Sequence, residues 1–183
     1  MKVSREQMAE NRHRILAEAS RLFKDRGFDQ VSVAEVMQAA GLTHGGFYGH
    51  FSSKSDLIAQ TLEHALAGDS GVSRGFDAYL ESYLSPRHRD RAATGCPTAA
   101  LASDTRQQPA KSRTAMAAGL QAQIARITDS LSDQCSQDSR RAAIGSWSAM
   151  VGAMILARAV DDGALSDEIL EQTRAWISKA QQP

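Results

Sequence analysis

The chain has 183 residues, enough for one compact domain or two small ones sharing a core, and its 21 Lys and Arg balance 21 Asp and Glu. A formal net charge of zero excludes a polybasic protein held on nucleic acid by bulk charge, so any such binding has to come from a local patch. With 42% hydrophobic and 23% charged residues the chain is too apolar to be disordered, and 5% aromatics with four prolines favour helices over strands.

Met1 to Arg14 is densely charged with no apolar run, so no signal peptide is expected. A first helix is predicted from about Ser4 to Arg26, with Ile15, Ala19, Leu22 and Phe23 on one face and Gly27 as its C-terminal cap. Residues 1 to 26 hold seven cations (Lys2, Arg5, Arg12, Arg14, Arg21, Lys24, Arg26) against four acids, a positive start hidden in a neutral whole. Ser32 and Glu35 form a capping box for a short second helix carrying Val33, Val36, Met37 and Ala40, which Gly41 ends. Thr43 can cap a third helix of little more than one turn, with Phe47 and Phe51 inward. Ser53 and Asp56 start a longer fourth helix with Leu57, Ile58, Thr61, Leu62, Ala65 and Leu66 on its apolar face.

Composition breaks at Ala67–Ser73. Phe76, Tyr79, Leu80, Tyr83 and Leu84 mark another amphipathic helix, followed by a polar, basic loop from Arg87 to Gly95. Pro97 suits the first turn of a helix over Thr98–Asp104. Longer helices are predicted over Pro109–Ser132 and Gln137–Val160, and Ser166 is expected to cap the last. The longest weakly polar run, Ala142–Ala157, is shorter than a membrane span. About nine helices and no sheet are expected, in a cytoplasmic protein.

Val31–Lys54 has the layout of a helix-turn-helix, whose second helix enters the DNA major groove. Gly45 and Gly46 would let that helix's backbone come close to the duplex. Thr43, Tyr48 and His50 can donate to phosphate oxygens, His44 to a phosphate or a base edge, and Lys54 can reach a phosphate from the next helix. Tyr48 could instead be a half-buried core aromatic, but Phe47 and Phe51 already take the inward positions. Arg12 and Arg14 could contact phosphate or merely dress a helix face. His44 and His50 are six residues apart, wrong for a metal pair on one helix face, and Cys96 and Cys135 match no ligand motif, so no metal or cofactor is expected. The chain has no Gly-x-Ser-x-Gly elbow and no nucleotide loop, which argues against an enzyme.

Ile15 to Leu57, and above all AGLTHGGFYGHFSSKSDL from Ala40, resembles the DNA-binding domain of the TetR/AcrR family of bacterial one-component repressors. The resemblance rests on the spacing of Gly41, Thr43, Gly45, Phe47, Tyr48, His50, Phe51, Lys54 and Leu57. GCPTAALASD from Gly95 is similar to a stretch found in one subgroup. Gly49 departs from the family's commoner bulky or polar residue, and with Gly46 it weakens helix propensity by roughly 1 kcal/mol per glycine. The resemblance implies an all-α fold: a three-helix DNA-binding domain (1–52) and a helical effector-binding and dimerisation domain (53–183), with Ser32, Thr43, His44, Gly45, Gly46, Tyr48, His50 and Lys54 expected at the DNA. Double-stranded operator DNA, a small-molecule effector and a second copy of the chain are the implied partners, and no membrane.

Apolar or amphipathic residues expected to face the effector are Leu62, Leu66, Phe76, Tyr79, Tyr83, Cys96, Leu101, Met116, Leu120 and Ile124. Those expected at the dimer centre are Trp147, Val151, Met154, Ile155, Trp176 and Ile177, some of which must face inward. Small residues around them (Ala143, Gly145, Ala149, Gly152, Ala153) would let helices pack closely across a dimer axis. The fourth helix is expected to couple the two parts. The alternatives are a constitutive DNA-binding protein without effector, and a thiol sensor of electrophiles or oxidants acting through Cys96, beside the basic loop.

Overall fold

The computed structural model describes residues 4–68, 71–131 and 137–181. Lys2, Cys135, Ser132 and part of the Ala67–Ser73 break lie outside the described residues. Within them the fold is all-helical: α1 (Arg5–Arg26), α2 (Val33–Ala39), a 3-10 helix (His44–Gly49), α3 (Lys54–Leu66), α4 (Phe76–Tyr83), α5 (Pro86–Arg89), α6 (Pro97–Thr105), α7 (Ala110–Leu131), α8 (Gln137–Ala159) and α9 (Gly163–Ala180), with two further 3-10 turns. No strand occurs among the described residues.

Two compact units result. The first comprises residues 1–67 with 96–119, and the second 68–95 with 120–183. This grouping by compactness cuts the chain differently from a functional division at 52/53, because α3, α6 and the start of α7 pack with the N-terminal helices. In the first unit α1 lies against α2, α3 and α6. Ile15, Phe23, Val36, Met37, Phe47, Phe51, Leu57, Leu62 and Leu101 are buried there, so the predicted inward faces of the first four helices all meet a core. Ser4 caps α1 by accepting from the Gln7 amide, and Ser53 caps α3 by accepting from the Asp56 amide. Lys111 on α7 donates to Asp56 Oδ1 at 2.6 Å, and with the Gln60 and Ser52 bonds it holds that carboxyl below its usual range.

In the second unit α8 packs along α9, while α4 meets α9 and α5 meets α8. Its core holds Tyr79, Leu80, Tyr83, Ile127, Trp147, Met150, Met154, Leu170 and Ile177. By length and composition α8 could cross a membrane, but Ala143, Trp147, Met150, Ala153 and Met154 are buried among neighbours, as in a core helix.

Three local expectations are corrected. Ser166 is not the cap of α9. Asp162 is, accepting from the Ala164 and Leu165 amides, because Ser166 is buried and its hydroxyl donates to the Ala157 carbonyl at 2.7 Å. The segment from Arg87 to Gly95 is not simply a loop: Pro86 opens α5, Ser85 caps it through the His88 amide, and Arg158 donates to the terminal carbonyls of His88 and Arg89. The third helix is a 3-10 helix, consistent with three glycines in six residues and the low α-helical propensity they bring.

Candidate nucleic-acid interface

The turn between α2 and the 3-10 helix follows from a few local bonds. Ser32 accepts from the Glu35 amide at 3.2 Å, and the Glu35 carboxylate accepts from the Ser32 amide at 2.8 Å, a complete capping box. At the other end Gly41 takes φ +70°, a conformation costly for residues with a Cβ, and the Leu42 amide returns to the Met37 carbonyl at 2.9 Å. Leu42 and Thr43 then lead the chain into the 3-10 helix.

That helix has one buried side and one open side. Phe47 is buried and stacks on Phe51, with ring centroids 5.7 Å apart. Tyr48, its neighbour in sequence, is 72% exposed. Thr43, His44, Gly45, Gly46 and Gly49 are exposed too. Thr43 makes no capping hydrogen bond, so its hydroxyl is not committed to the helix end. Nothing lies within 4 Å of a side chain's first carbon at Gly45 or Gly49, which leaves a smooth backbone surface.

His50 and Lys54 flank this face, both half-buried. Burial and, secondly, the Arg12 charge lower the His50 pKa, so its ring is mostly neutral at neutral pH and offers an N–H rather than a charge. Arg12 is engaged in the fold: its guanidinium donates to the His50 carbonyl at 2.9 Å and lies 4.8 Å from the Phe51 ring centroid. Arg14 donates to Asn11 Oδ1. The Ser32 hydroxyl is also committed, because it serves the capping box.

Glu35 gives a pH-dependent check on this scaffold. The Ser32 amide, then the Ser32 hydroxyl and Arg26, lower its pKa from 4.5 to about 2. A depressed carboxyl contributes stability above its unfolded value and loses it as pH falls through the folded one. Wild type should therefore melt higher than Glu35→Gln at neutral pH, with the difference shrinking below pH 4.5 and vanishing near pH 2. A pH-independent difference between their thermal melts would mean that the charged box does not form.

The expected effector residues divide between the units. Leu62, Leu66, Cys96, Leu101 and Met116 fall in the first, and Phe76, Tyr79, Tyr83, Leu120 and Ile124 in the second. Tyr79 and Tyr83 line a cavity of about 250 Å3 within the second unit, together with Arg74, Arg87, His88 and Arg91. The sequence had marked the last three only as part of a basic stretch. Cys96 is half-buried at the N-cap of α6.

The expected interface residues also separate. Trp147, Met154 and Ile177 are buried in the second unit's own core, which corrects their expected place at a dimer centre. Val151 is half-buried, whereas Ile155 and Trp176 are exposed. Of six exposed large hydrophobic residues among those described, five lie on α8 and α9 (Ile144, Ile155, Leu156, Leu165, Trp176), and the sixth is Tyr48. A shallow groove between α8 and α9 is lined by Ala149, Gly152, Ala153, Leu156, Ile169 and Trp176, among others. No group of three or more His, Cys, Asp or Glu side chains suited to a metal converges among the described residues.

A capped short helix, a glycine turn and a second short helix with an open polar face define a helix-turn-helix domain. Residues 15–61 match the family described as "Bacterial regulatory proteins, tetR family". Over 60 residues it is 40% identical to the HTH-type transcriptional regulator AcrR of Shigella flexneri, covering 33% of this chain and 28% of that protein. Over 65 residues it is 34% identical to the HTH-type transcriptional repressor BepR of Brucella suis, covering 36% and 31%. The matched stretch thus spans less than a third of either relative. The fold as a whole is similar to the reduced form of NemR from E. coli (TM-score 0.73, 22% identity, 92% of this chain and 96% of that one). A tetR-family regulator from Agrobacterium tumefaciens is also similar (TM-score 0.74, 22% identity, 94% and 98%).

Proposed function

We propose that the protein is a dimeric transcriptional repressor that binds double-stranded operator DNA and is released by a small-molecule effector. The observation that carries this reading is the open face of residues 43–49, where Tyr48 stands exposed beside backbone unobstructed at two glycines while Phe47 anchors the other side. Thr43, His44, Tyr48, His50 and Lys54 are the contacts, with Gly45 and Gly46 allowing close approach. Ser32 acts mainly as the cap that fixes α2. Residues 1–52, with Lys54 at the start of the next helix, read DNA in this scheme, and the rest of 53–183 senses the effector and dimerises. A regulator of this kind works on the bacterial chromosome, in the cytoplasm, and needs no catalytic set.

The second copy is expected against the α8–α9 face, where exposed Ile155, Leu156 and Trp176 lie beside small residues that permit close helix packing. Effector action is a population shift: a ligand that prefers one arrangement of the helices lowers the share of the DNA-binding one. α3 is one carrier, since it begins at Lys54 and ends at Leu66. α7 is another, since it belongs to both compact units and is tied to α3 by Lys111 and Asp56.

Lys54→Ala and Tyr48→Ala test the reading. Both should keep their helicity and weaken binding to the DNA upstream of the protein's own gene, measured by fluorescence anisotropy. Lys54→Ala should also flatten the dependence of log affinity on log salt by about one. Unchanged affinity and slope in both variants would remove the 43–54 segment from the interface.

A further inference from the structure

We infer that the cavity between α4, α5 and the following 3-10 turn (Ala92–Thr94) binds a small organic anion, a carboxylate or phosphate ester carried on a planar apolar body. This names a ligand class for the effector and rests on the regulator reading only for its consequence at DNA. Four arginines lie in the surrounding segments: Arg74, Arg87, Arg89 and Arg91. Arg89 is consumed by the fold: it donates to Asp90, Ser166 and Asp167 and does not line the cavity. Arg74, Arg87 and Arg91 do line it, and none of them forms an ion pair with a carboxylate among the described residues. No Asp or Glu belongs to the lining. These three exposed cations, with no acidic partner among the described residues, give the cavity a positive lining that a bound anion would complement.

The inner wall supplies the rest. His88 sits edge-on to Tyr83 with ring centroids 4.6 Å apart, and its Nδ1 lies 2.7 Å from the Tyr83 carbonyl. A carbonyl only accepts, so Nδ1 carries the proton and donates. Tyr79 and Tyr83 complete an aromatic wall backed by Trp147, whose ring lies 6.2 and 5.3 Å from theirs. The Tyr79 hydroxyl is fixed by a 3.2 Å bond from Gln123. A volume of about 250 Å3 lies below the range of roughly 300–1,000 Å3 usual for drug-sized ligands, so the occupant is small.

Calorimetric titration of the full chain, without DNA, uses benzoate, phenyl phosphate, inorganic phosphate and the neutral amide benzamide as probes. Saturable one-to-one binding of benzoate or phenyl phosphate is expected, and the tighter of the two identifies the anionic group. Benzamide should bind at least about tenfold more weakly, as should the better anion to the Arg87→Gln/Arg91→Gln double variant, the loss expected on removing a charge-assisted bond. Arg21→Gln, an exposed cation on α1, should leave binding unchanged. No binding by either organic anion, equal binding of benzamide, equal binding by a double variant of normal helicity, or inorganic phosphate binding as tightly as phenyl phosphate would overturn the assignment. Since no DNA is present, failure of the operator assay leaves this result standing, and failure here leaves the DNA reading intact.

Discussion

Trp176→Glu should yield a monomer in sedimentation experiments and lose operator affinity by about a hundredfold or more, while its helicity stays that of the wild type. Trp176 is 62% exposed on α9, so a carboxylate there is solvated in the isolated subunit and costs the fold little. In a dimer closed over the α8–α9 groove the same carboxylate would be buried without a partner. A penalty of about 3–5 kcal/mol corresponds to roughly a hundredfold to five-thousandfold in the dimerisation constant. DNA affinity falls with it, because a six-residue recognition helix with three glycines reads few bases, and specificity needs two copies at a fixed spacing. Trp147→Glu is the contrasting variant. Trp147 is only 5% exposed, so a charge there should unfold the subunit itself. A dimeric Trp176→Glu protein with normal operator affinity would move the interface off this face.

Gly119→Ala should lower the thermal midpoint by several degrees through helix packing alone. A first side-chain carbon at position 119 would lie 2.6 Å from Leu66 Cβ and 2.5 Å from its Cδ1. The Cβ cannot swing away, so α3 and α7 must separate. Overpacking of this kind costs about 1–3 kcal/mol, which for a chain of this size is roughly 2–4 °C per kcal/mol. Removing the opposing Cβ in a Gly119→Ala/Leu66→Gly double variant should recover part of that loss relative to the two single changes. An unchanged midpoint in Gly119→Ala would mean that the two helices are not in this close contact.

The N-terminal helices were legible because local chemistry and burial agree there. Ser32 with Glu35, Gly41, and Phe47 with Phe51 each have a short-range role that the fold keeps. The 3-10 character of the third helix was hidden, since spacing of four between Phe47 and Phe51 suits an α-turn equally well. Arg12 was ambiguous for a different reason. Its partners, the His50 carbonyl and the Phe51 ring, are 38 or more residues away in sequence. In the C-terminal half periodicity found the helices but could not say which apolar stripe faces the subunit's own core. Trp147 and Trp176 look alike in sequence, yet one is buried among tyrosines and the other stands in solvent. Ser166 misled because a serine at a helix start reads as a cap, while here its hydroxyl is drawn inward to the Ala157 carbonyl.

Selection from a random duplex DNA library, run in parallel with wild type and Tyr48→Ala, tests the DNA-reading face most directly. Wild type should enrich near-palindromic sites whose half-sites lie about one helical turn, or a multiple of it, apart. Tyr48→Ala should enrich them more weakly at equal protein concentration. Failure of the wild type to enrich any sequence, or equal enrichment of the same site by both proteins, would contradict the assignment of residues 43–54 as the segment that reads DNA.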